Sequence, residues 1–586
     1  MHISHVTIKN YRNLRNVDVD LHRETIVVGE NNAGKSNFLR AITLPLISDE
    51  IAYTSKNLSW QDINNVSKEA YYDFLCKNKK EIIDQILPLE NFEEIIPKIV
   101  VELTLTPCEI ELYDVKNFIC HIDGEKNVYK IRYEFKSKTK ELLERVRSII
   151  ISCEDISEKT IKQYQMNLLP IDLFSYTIMV PGKNEKIPYD TLRRFEYTAL
   201  EAERDDFSIS TNKLGSKSLI HLLQMKLDTD AKLKVEQEYS HFFETIKSAS
   251  RMEEIINWQD NSEIKRANDF FNRITALPNM PSMASILNSV QLGYDGQSLS
   301  TQGLGYRNLL LMLVLINSLT KVNDLSLDVL TVEEPEAHLC ISNIRLMKGF
   351  LNAFTERNNF VQLIYSTHSP ELIGKVDLSN VVVFHQGNAF SLSKDLTDES
   401  IQYLSKNPNV DIYNLLFAKK CILVEGLTEE LLIKAYLRSK SELNDIEVIS
   451  FHKGYINIIN IWLRLNKNSN NKLGIIRDYD NQDHAKEVHE KYNEHENIIV
   501  TTTTEYTLES EIAKAGDNIE VLKEKYCTKF GWENMSADEI QEDWRNSKSF
   551  IMLDICQNLI KGDLPDFTMP SHIQKVLNFM MDGVKS

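Results

Sequence analysis

The pattern of hydrophobic and polar positions changes period several times along the chain, and the changes divide it. Apolar-rich segments at Ile3–Lys9 and Glu24–Val28 predict two short strands, joined through Tyr11-Arg12-Asn13-Leu14. β-rich runs at Ile99–Thr106 and Val128–Phe135 predict an antiparallel layer flanking that first sheet. Between 205 and 290 the pattern turns helical. Val235, Tyr239, Phe242 and Ile246 fall at i, i+4, i+7 and i+11 and share one helix face. That face reads either as an ordinary core-facing stripe or as part of a helical insert used for dimerisation. From Leu292 to His368 the pattern is α/β again: a Gly-rich turn, an apolar helix, then buried-type strands at Asp328–Val332 and Phe360–Ser366. A third strand follows at Val381–His385. Residues 395–410 are polar, carry the turn signal Asn407-Pro408 and read as a linker. Cys421–Glu425 opens a new strand–helix series, with a further strand at Asn471–Ile476. The expected class is α/β. One unit is split over 1–204 and 291–400 around an insert at 205–290, and a second covers 411–586.

Composition narrows this little. At 586 residues the chain is too long for one core, so roughly two to four domains are expected. Hydrophobic content of 42% and charged content of 26% are ordinary for a soluble globular protein. The eight cysteines are scattered without a C-x-x-C pair, which argues against a zinc site or disulfide framework and fits a reducing cytoplasm. Met1–His5 lacks the charged and apolar regions of a signal peptide. The most apolar run, Leu309–Ile316, is too short to span a bilayer, so no membrane association is expected. The net charge of −18 argues against a passive coat for nucleic acid. It leaves a nuclease open, because a carboxylate metal site is itself acidic and phosphate contacts need only a local basic groove.

Two groups of residues carry chemistry. Gly29-Glu30-Asn31-Asn32-Ala33-Gly34-Lys35-Ser36 matches G-x-x-x-x-G-K-[ST], with a hydrophobic strand before it and a helix after it. Gly29 and Gly34 let the backbone wrap so that its N–H groups, from Asn32 to Asn37, point at phosphate oxygens. Lys35 would reach the β- and γ-phosphates of ATP, and Ser36 would ligate Mg²⁺. Far along the chain, a buried-type strand ends in Glu333-Glu334-Pro335-Glu336. Glu333 suits ordering Mg²⁺ through water, and Glu334 suits taking a proton from the attacking water. Acidic residues beside a proline also favour a helix start, which is the structural alternative. Ser300-Thr301-Gln302-Gly303-Leu304-Gly305 precedes an apolar helix, so Ser300 and Gly303 are candidates to cap a γ-phosphate held by a second subunit. His368, in Tyr365-Ser366-Thr367-His368-Ser369-Pro370, ends another strand where it would sense that phosphate.

The second group follows residue 410. Cys421–Val424 ends at Glu425-Gly426, with a helix from about Thr428 that carries Glu429 and Glu430. Asn471–Ile476 runs into Arg477-Asp478-Tyr479-Asp480, and the even spacing of Asp478 and Asp480 lets both point one way. Hard carboxylate oxygens suit Mg²⁺ or Mn²⁺, and such ions stabilise both oxygens of a phosphodiester displacement. Acidic residues at strand ends and first helical turns also serve as caps and dipole partners, a reading that weighs most on Glu429 and Glu430.

Ile8-Lys9-Asn10-Tyr11-Arg12-Asn13-Leu14, the phosphate loop, Glu334-Pro335-Glu336-Ala337-His338-Leu339 and Ser366-Thr367-His368-Ser369 resemble the ABC-type ATPases of the SMC, RecF and OLD group. The similarity covers roughly 1–50 and 290–375. It departs at Glu333, where Asp is usual, and at Cys340-Ile341, where many relatives have His-Pro. The E-G…D-x-D order resembles the Toprim domain of topoisomerases, primases and OLD nucleases. An ABC-type ATPase followed by Toprim marks the OLD family, and Phe417–Gly426 is most similar to its class 2, Gabija-type nucleases. The resemblance implies several things. Glu509 matches a later acidic motif in which Thr507 replaces an expected Asp, so that a metal ligand would shift to Glu505 or Glu511. Lys548 is the candidate for stabilising the scissile phosphate. ATP would be sandwiched head to tail, Lys35 of one subunit facing Ser300 and Gly303 of another, in a homodimer or homotetramer. The implied activity is ATP-regulated, metal-dependent cutting of double-stranded DNA in cytoplasmic antiphage defence. Implied partners are a separately encoded UvrD-like helicase or a retron reverse transcriptase with its RNA. An alternative is an ATP-dependent DNA clamp or sensor with a non-cleaving Toprim platform, which the Thr507 departure favours. A topoisomerase-like strand transferase lacks a segment for its tyrosine nucleophile.

Overall fold

The computed structural model describes the chain apart from residues 49–55, 124–125, 153–157, 184, 202–218, 221, 225, 250–282, 288–289, 291, 300–301, 319–324, 359, 407–409, 417, 441–444, 452–454, 467–468, 479–482, 505–507, 547 and 582–586. Its centre is a seven-stranded sheet in the order Asn388–Ser391, Val381–His385, Glu24–Gly29, Val361–Thr367, Leu327–Glu333, Phe195–Leu200, Ile47–Ser48. Every pairing is parallel except the hairpin of Val381–His385 with Asn388–Ser391. Parallel strands are covered on both faces, which is why Glu24–Gly29 and Leu327–Glu333 are near-continuous apolar runs. Alternate residues feed different cores: Val27 and Val329 pack on one side, Ile26, Val28, Leu330 and Val332 on the other.

The first side is closed by an antiparallel sheet. Its path runs Leu14–Asp20, His2–Tyr11, Ile99–Thr106, Lys126–Ser137, Ile119–Asp123, with Phe174–Met179 also on Lys126–Ser137. The predicted antiparallel layer is thus present. Leu14–Asp20 is a strand that the sequence pattern left as part of a connection. Its inward residues, Leu14, Val17 and Val19, break strict alternation at the start.

The second side continues into the C-terminal unit. There, Ile446–Ser450, Lys420–Val424, Lys472–Arg477 and Ile498–Thr502 form an all-parallel sheet in that order. Cys421 and Leu423 share a core with Val28, Leu330 and Tyr365, while Ile422 and Val424 face a separate core built with the C-terminal helices. The seven-stranded sheet and the C-terminal sheet therefore bury apolar residues in one continuous core. The segment expected as a linker takes part: Asp398–Ser405 is a helix, capped by the Thr397 side chain, and buries Leu404. At Gly474 an added Cβ would lie 2.4 Å from Val576 Cγ1, so the helix Ser571–Met581 sits directly on its strand. Within the insert, Thr229–Ala249 is a helix with no buried residue, and Phe242 and Ile246 are exposed. The core-facing alternative for that stripe is therefore corrected. The remainder of 205–290 lies mostly outside the described residues. Among the described residues no helix is long and apolar enough to cross a membrane.

Candidate functional site

Parallel pairing brings the ends of three strands to one edge. Val28 pairs with Thr367, and Ser366 with Glu333, so Gly29, Glu334 and His368 emerge together. Gly29 leaves its strand at φ 153°, and a Cβ there would meet the Phe384 carbonyl oxygen at 2.4 Å. Only glycine serves at that position. Lys35, the first residue of the helix Lys35–Thr43, is buried and donates to the carbonyls of Gly29 at 2.9 Å and Glu30 at 2.8 Å. Burial pulls its pKa down to about 8, against the carboxylates of Glu334, Glu30, Glu333 and Glu336. The Ser36 hydroxyl donates to Glu333 Oε2 at 3.0 Å. The two expected Mg²⁺-holding groups thus meet, although nearly three hundred residues separate them. Arg12, Asn13 and Asp62, to which sequence reasoning gave no separate role, hold this loop. Arg12 bridges Asp62 and Asn37, at 2.8 Å each. The Asn37 amide donates to Asn13 Oδ1 at 2.8 Å, and Asn13 donates to the Asn32 carbonyl at 3.1 Å. Asn37 is engaged in positioning the loop.

Glu333 is the last residue of its strand, and a turn follows over 335–338. The helix-start alternative does not hold, because the next helix begins at Ile341. Glu334 stands at φ 42°, in the left-handed region, and its N–H donates to the Ser366 carbonyl at 3.0 Å. That brings Glu334 Oε1 to 3.5 Å from His368 Nε2. Burial, then the Lys35 charge, lower the His368 pKa against the pull of Glu334, so its ring is neutral at pH 7. Glu336 clamps the arrangement: it accepts from Thr367 Oγ1 at 2.5 Å and from the His368 N–H at 2.9 Å. Burial raises its pKa despite these bonds. On the signature side Ser300 lies outside the described residues, while a Cβ at Gly303 would meet nothing within 4 Å. The helix Leu304–Ser318 behind it is tied to the 335–338 turn by Asn308, which donates to the Ala337 carbonyl at 3.1 Å.

The second group gathers at the carboxyl ends of the C-terminal sheet. Glu425 directly follows Lys420–Val424, and its Oε2 accepts from the Asp478 N–H at 3.0 Å. The strand Lys472–Arg477 ends immediately before Asp478. Asp480 lies outside the described residues, as do Glu505 and Thr507. Glu429, in the first turn of Leu427–Ser439, is buried and accepts from the Thr428 hydroxyl at 3.3 Å. Burial raises its pKa, and the charges of Glu509 and Glu425 add to the rise. Glu509 is buried in the first turn of Leu508–Lys514. Glu429 therefore belongs with Glu425 and Glu509, and a divalent cation would relieve both the burial and the repulsion. Glu430 has a different job: it pairs with Lys434 at 2.5 Å and accepts from the Ser450 N–H at 3.0 Å. Glu511 is turned to the Thr504 N–H and hydroxyl and to His572. Lys548 begins the helix Lys548–Lys561, and its side chain lies outside the described residues. Among the described residues no three His, Cys, Asp or Glu side chains close to metal-holding geometry.

The family model described as an AAA ATPase domain matches residues 1–373, and one described as an overcoming lysogenization defect protein-like Toprim domain matches 416–480. The chain belongs to the OLD family of ATPase–Toprim nucleases. Endonuclease GajA of Bacillus cereus strain VD045 is 24% identical over 451 residues, 75% of this chain and 68% of the relative. Endonuclease GajA of strain HuB5-5 is 21% identical over 528 residues, 78% of this chain and 69% of the relative. Among solved structures, the SMC head bound to the C-winged helix domain of ScpA covers 68% of this chain and 100% of that chain, at 14% identity and a TM-score of 0.30.

In this OLD-family chain one contact joins the two groups directly. Glu30, second residue of the phosphate loop, pairs with Lys419 at 3.3 Å. Lys419 stands immediately before Lys420–Val424, the strand that ends at Glu425. His385 Nδ1 lies 3.9 Å from the other Glu30 oxygen, and burial pushes this imidazole down to about 4, so it is neutral. Sequence patterns carry no signal for this pairing, which depends on how two sheets pack.

Proposed function

We propose that the chain is an ATP-regulated, divalent-metal-dependent DNA endonuclease acting in bacterial antiphage defence. One observation carries the proposal. The Asp478 N–H bonds Glu425, and Glu429 feels the charges of Glu425 and Glu509, beside the ends of a parallel sheet that shares a core with the strand leading into the phosphate loop. Glu425, Glu429, Asp478 and Glu509, with Asp480, would hold Mg²⁺ or Mn²⁺. Bound there, the metal supplies activation of water and stabilisation of the leaving oxygen. The chain's own residues orient the duplex, and Lys548 is the residue assigned to offset charge on the scissile phosphate.

At the ATP site, Lys35 and the loop N–H groups take the phosphates, while Ser36 and Glu333 hold Mg²⁺. Glu334 accepts the proton of the attacking water, and neutral His368 orients it. A second subunit contributes Ser300 and Gly303, in a homodimer or homotetramer. The open Gly303 and the exposed Leu304 and Ile341, at 45% and 55%, support that surface as an interface. Nucleotide draws Lys35 off the Gly29 and Glu30 carbonyls, and the Glu30–Lys419 pair passes the change to the strand before Glu425. The trigger comes from a partner, a UvrD-like helicase or a retron reverse transcriptase with its RNA.

The test is cleavage of supercoiled plasmid and linear phage DNA with Mg²⁺ or Mn²⁺, with and without ATP, beside Asp480→Ala. Metal-dependent cutting that the variant loses supports the proposal, and the ATP lanes give the sign of the regulation. Equal cutting by the variant would remove the Toprim assignment.

A further inference from the structure

Between the antiparallel sheet and Ile47–Ser48, the edge strand of the seven-stranded sheet, lies a cavity of about 700 Å³, within the range of small-molecule sites. None of the residues assigned to nucleotide or metal lines it. Its apolar wall is the margin of the core between the two sheets: Ile178 and Leu192 belong to that core, and Ile47 and Ile187 pack against it. The rest of the wall includes Lys56, Lys186, Tyr176 and Tyr189. Among the described residues no carboxylate lines the cavity, in a chain whose net charge is −18.

Lys56 sets the ligand's charge. Its ammonium has three N–H groups and reaches one acceptor, the Leu46 carbonyl at 2.5 Å. Burial alone pulls its pKa down to about 8, so it stays charged at pH 7. At Lys35 four carboxylates oppose the same pull; at Lys56 none does. A half-buried cation without a counter-charge is relieved by an anion. The rings set what carries that anion. Tyr176 stacks on Tyr133, with centroids 5.7 Å and planes 15° apart. Tyr133 is fully buried and Tyr176 is 38% exposed, so the stack ends at an open ring. Tyr189, 68% exposed, adds a second ring from the turn of helix Tyr189–Leu192. Tyr133 also fixes the cation, because its hydroxyl donates to the Lys56 carbonyl at 2.5 Å. Ring and ammonium are thus held together before a ligand arrives, which lowers the cost of binding. Every nucleobase has a π face for such a ring. A peptide strand is not the occupant: the Ile187 N–H takes the Ile178 carbonyl at 3.0 Å and Lys186 bridges to Met179, covering the free edge of Phe174–Met179.

We propose that this cavity is a nucleotide site separate from the phosphate loop, taking a nucleoside monophosphate with its base against Tyr176 and Tyr189 and its phosphate on Lys56, with Lys186 beside it. The sugar lies over Ile178 and Ile187. Binding here needs neither the phosphate loop nor a metal. It is therefore read in EDTA and in Lys35→Ala, where failure of the nuclease or ATP assignment leaves it untouched.

The experiment titrates the full-length Lys35→Ala chain by calorimetry with adenosine monophosphate, deoxythymidine monophosphate, adenosine and decanoate. The expected result is one site for each monophosphate, with adenosine bound at least about tenfold more weakly and decanoate not at all. Adding Lys56→Met or Tyr189→Ala should weaken the monophosphates about tenfold, the scale of one charged hydrogen bond or one stacked base. Methionine keeps the lysine stem, Tyr189 is exposed, and the Tyr133 bond to the Lys56 backbone is untouched, so both variants fold. Weakening by either variant supports the proposal. No binding of a monophosphate, equal binding of adenosine, binding of decanoate alone, or unchanged affinity in both variants overturns it.

Discussion

Replacing Glu336 separates holding the catalytic turn from binding nucleotide. Its carboxylate accepts from Thr367 Oγ1 at 2.5 Å and from the His368 N–H at 2.9 Å, and so joins the turn after Glu334 to the neighbouring strand end. Hydrogen bonds to a charged group contribute about 1.5–3 kcal/mol each. Part of that is offset by burying the charge, which the raised pKa records. Glu336→Ala should therefore destabilise the ATPase unit by about 3 kcal/mol. Glu334, held at φ 42° by this framework, would shift relative to His368. A displacement of about 1 Å costs on the order of 100-fold in rate. ATP affinity should change little, because Lys35 and the loop backbone are untouched. Glu336→Gln keeps an acceptor and removes a charge that is costly to bury, so it should retain stability. The pKa sign agrees: a carboxyl whose folded pKa is raised stabilises most below its unfolded pKa, and that contribution is lost as pH rises through the folded value. The assays are urea unfolding, fluorescent-nucleotide binding and phosphate release. Full hydrolysis by Glu336→Ala, or an equal loss in Glu336→Gln, would refute the positioning role.

Lys35→Ala should lower ATP affinity about 100-fold by removing the ammonium from the phosphates, and with it any effect of ATP on cutting; titration with labelled ATP reads the first and plasmid cleavage the second. Lys419→Ala should cost under about 1 kcal/mol, because the side chain is 65% exposed. It should nevertheless uncouple cleavage rate from ATP, so a preserved ATP effect would count against the Glu30–Lys419 link. In EDTA the stability contributed by Glu429 should be lost as pH rises from 4.5 through its raised folded value, and Glu429→Gln should flatten melting temperature against pH there. The same variant should weaken Mg²⁺ binding, measured by calorimetry.

Much of the site was legible because it is local. A buried strand, a Gly-rich turn and a helix in succession define the phosphate loop whatever surrounds them. The strand ending at Glu333 is recognisable from its own apolar run. Glu430 was separable from Glu429 in principle, since Lys434 stands at i+4 and signals an ion pair. The helix Asp398–Ser405 escaped notice because its polar composition outweighs the single buried Leu404. Leu14–Asp20 escaped because its pattern starts out of step, and it exists as a strand through pairing with His2–Tyr11.

By itself, then, the sequence determined the parts whose physics lies within a dozen consecutive residues: the loop, the strand-end carboxylates, the helix starts and the α/β class. Tertiary structure alone decided which parts meet. Ser36 with Glu333, Arg12 with Asn37, Glu425 with Asp478 and Glu30 with Lys419 are juxtaposed by strand order and by a shared core. Side-chain periodicity tells a residue which face it takes. It does not tell a strand which neighbour it lies beside, because apolar burial is non-directional and many orders bury the same area.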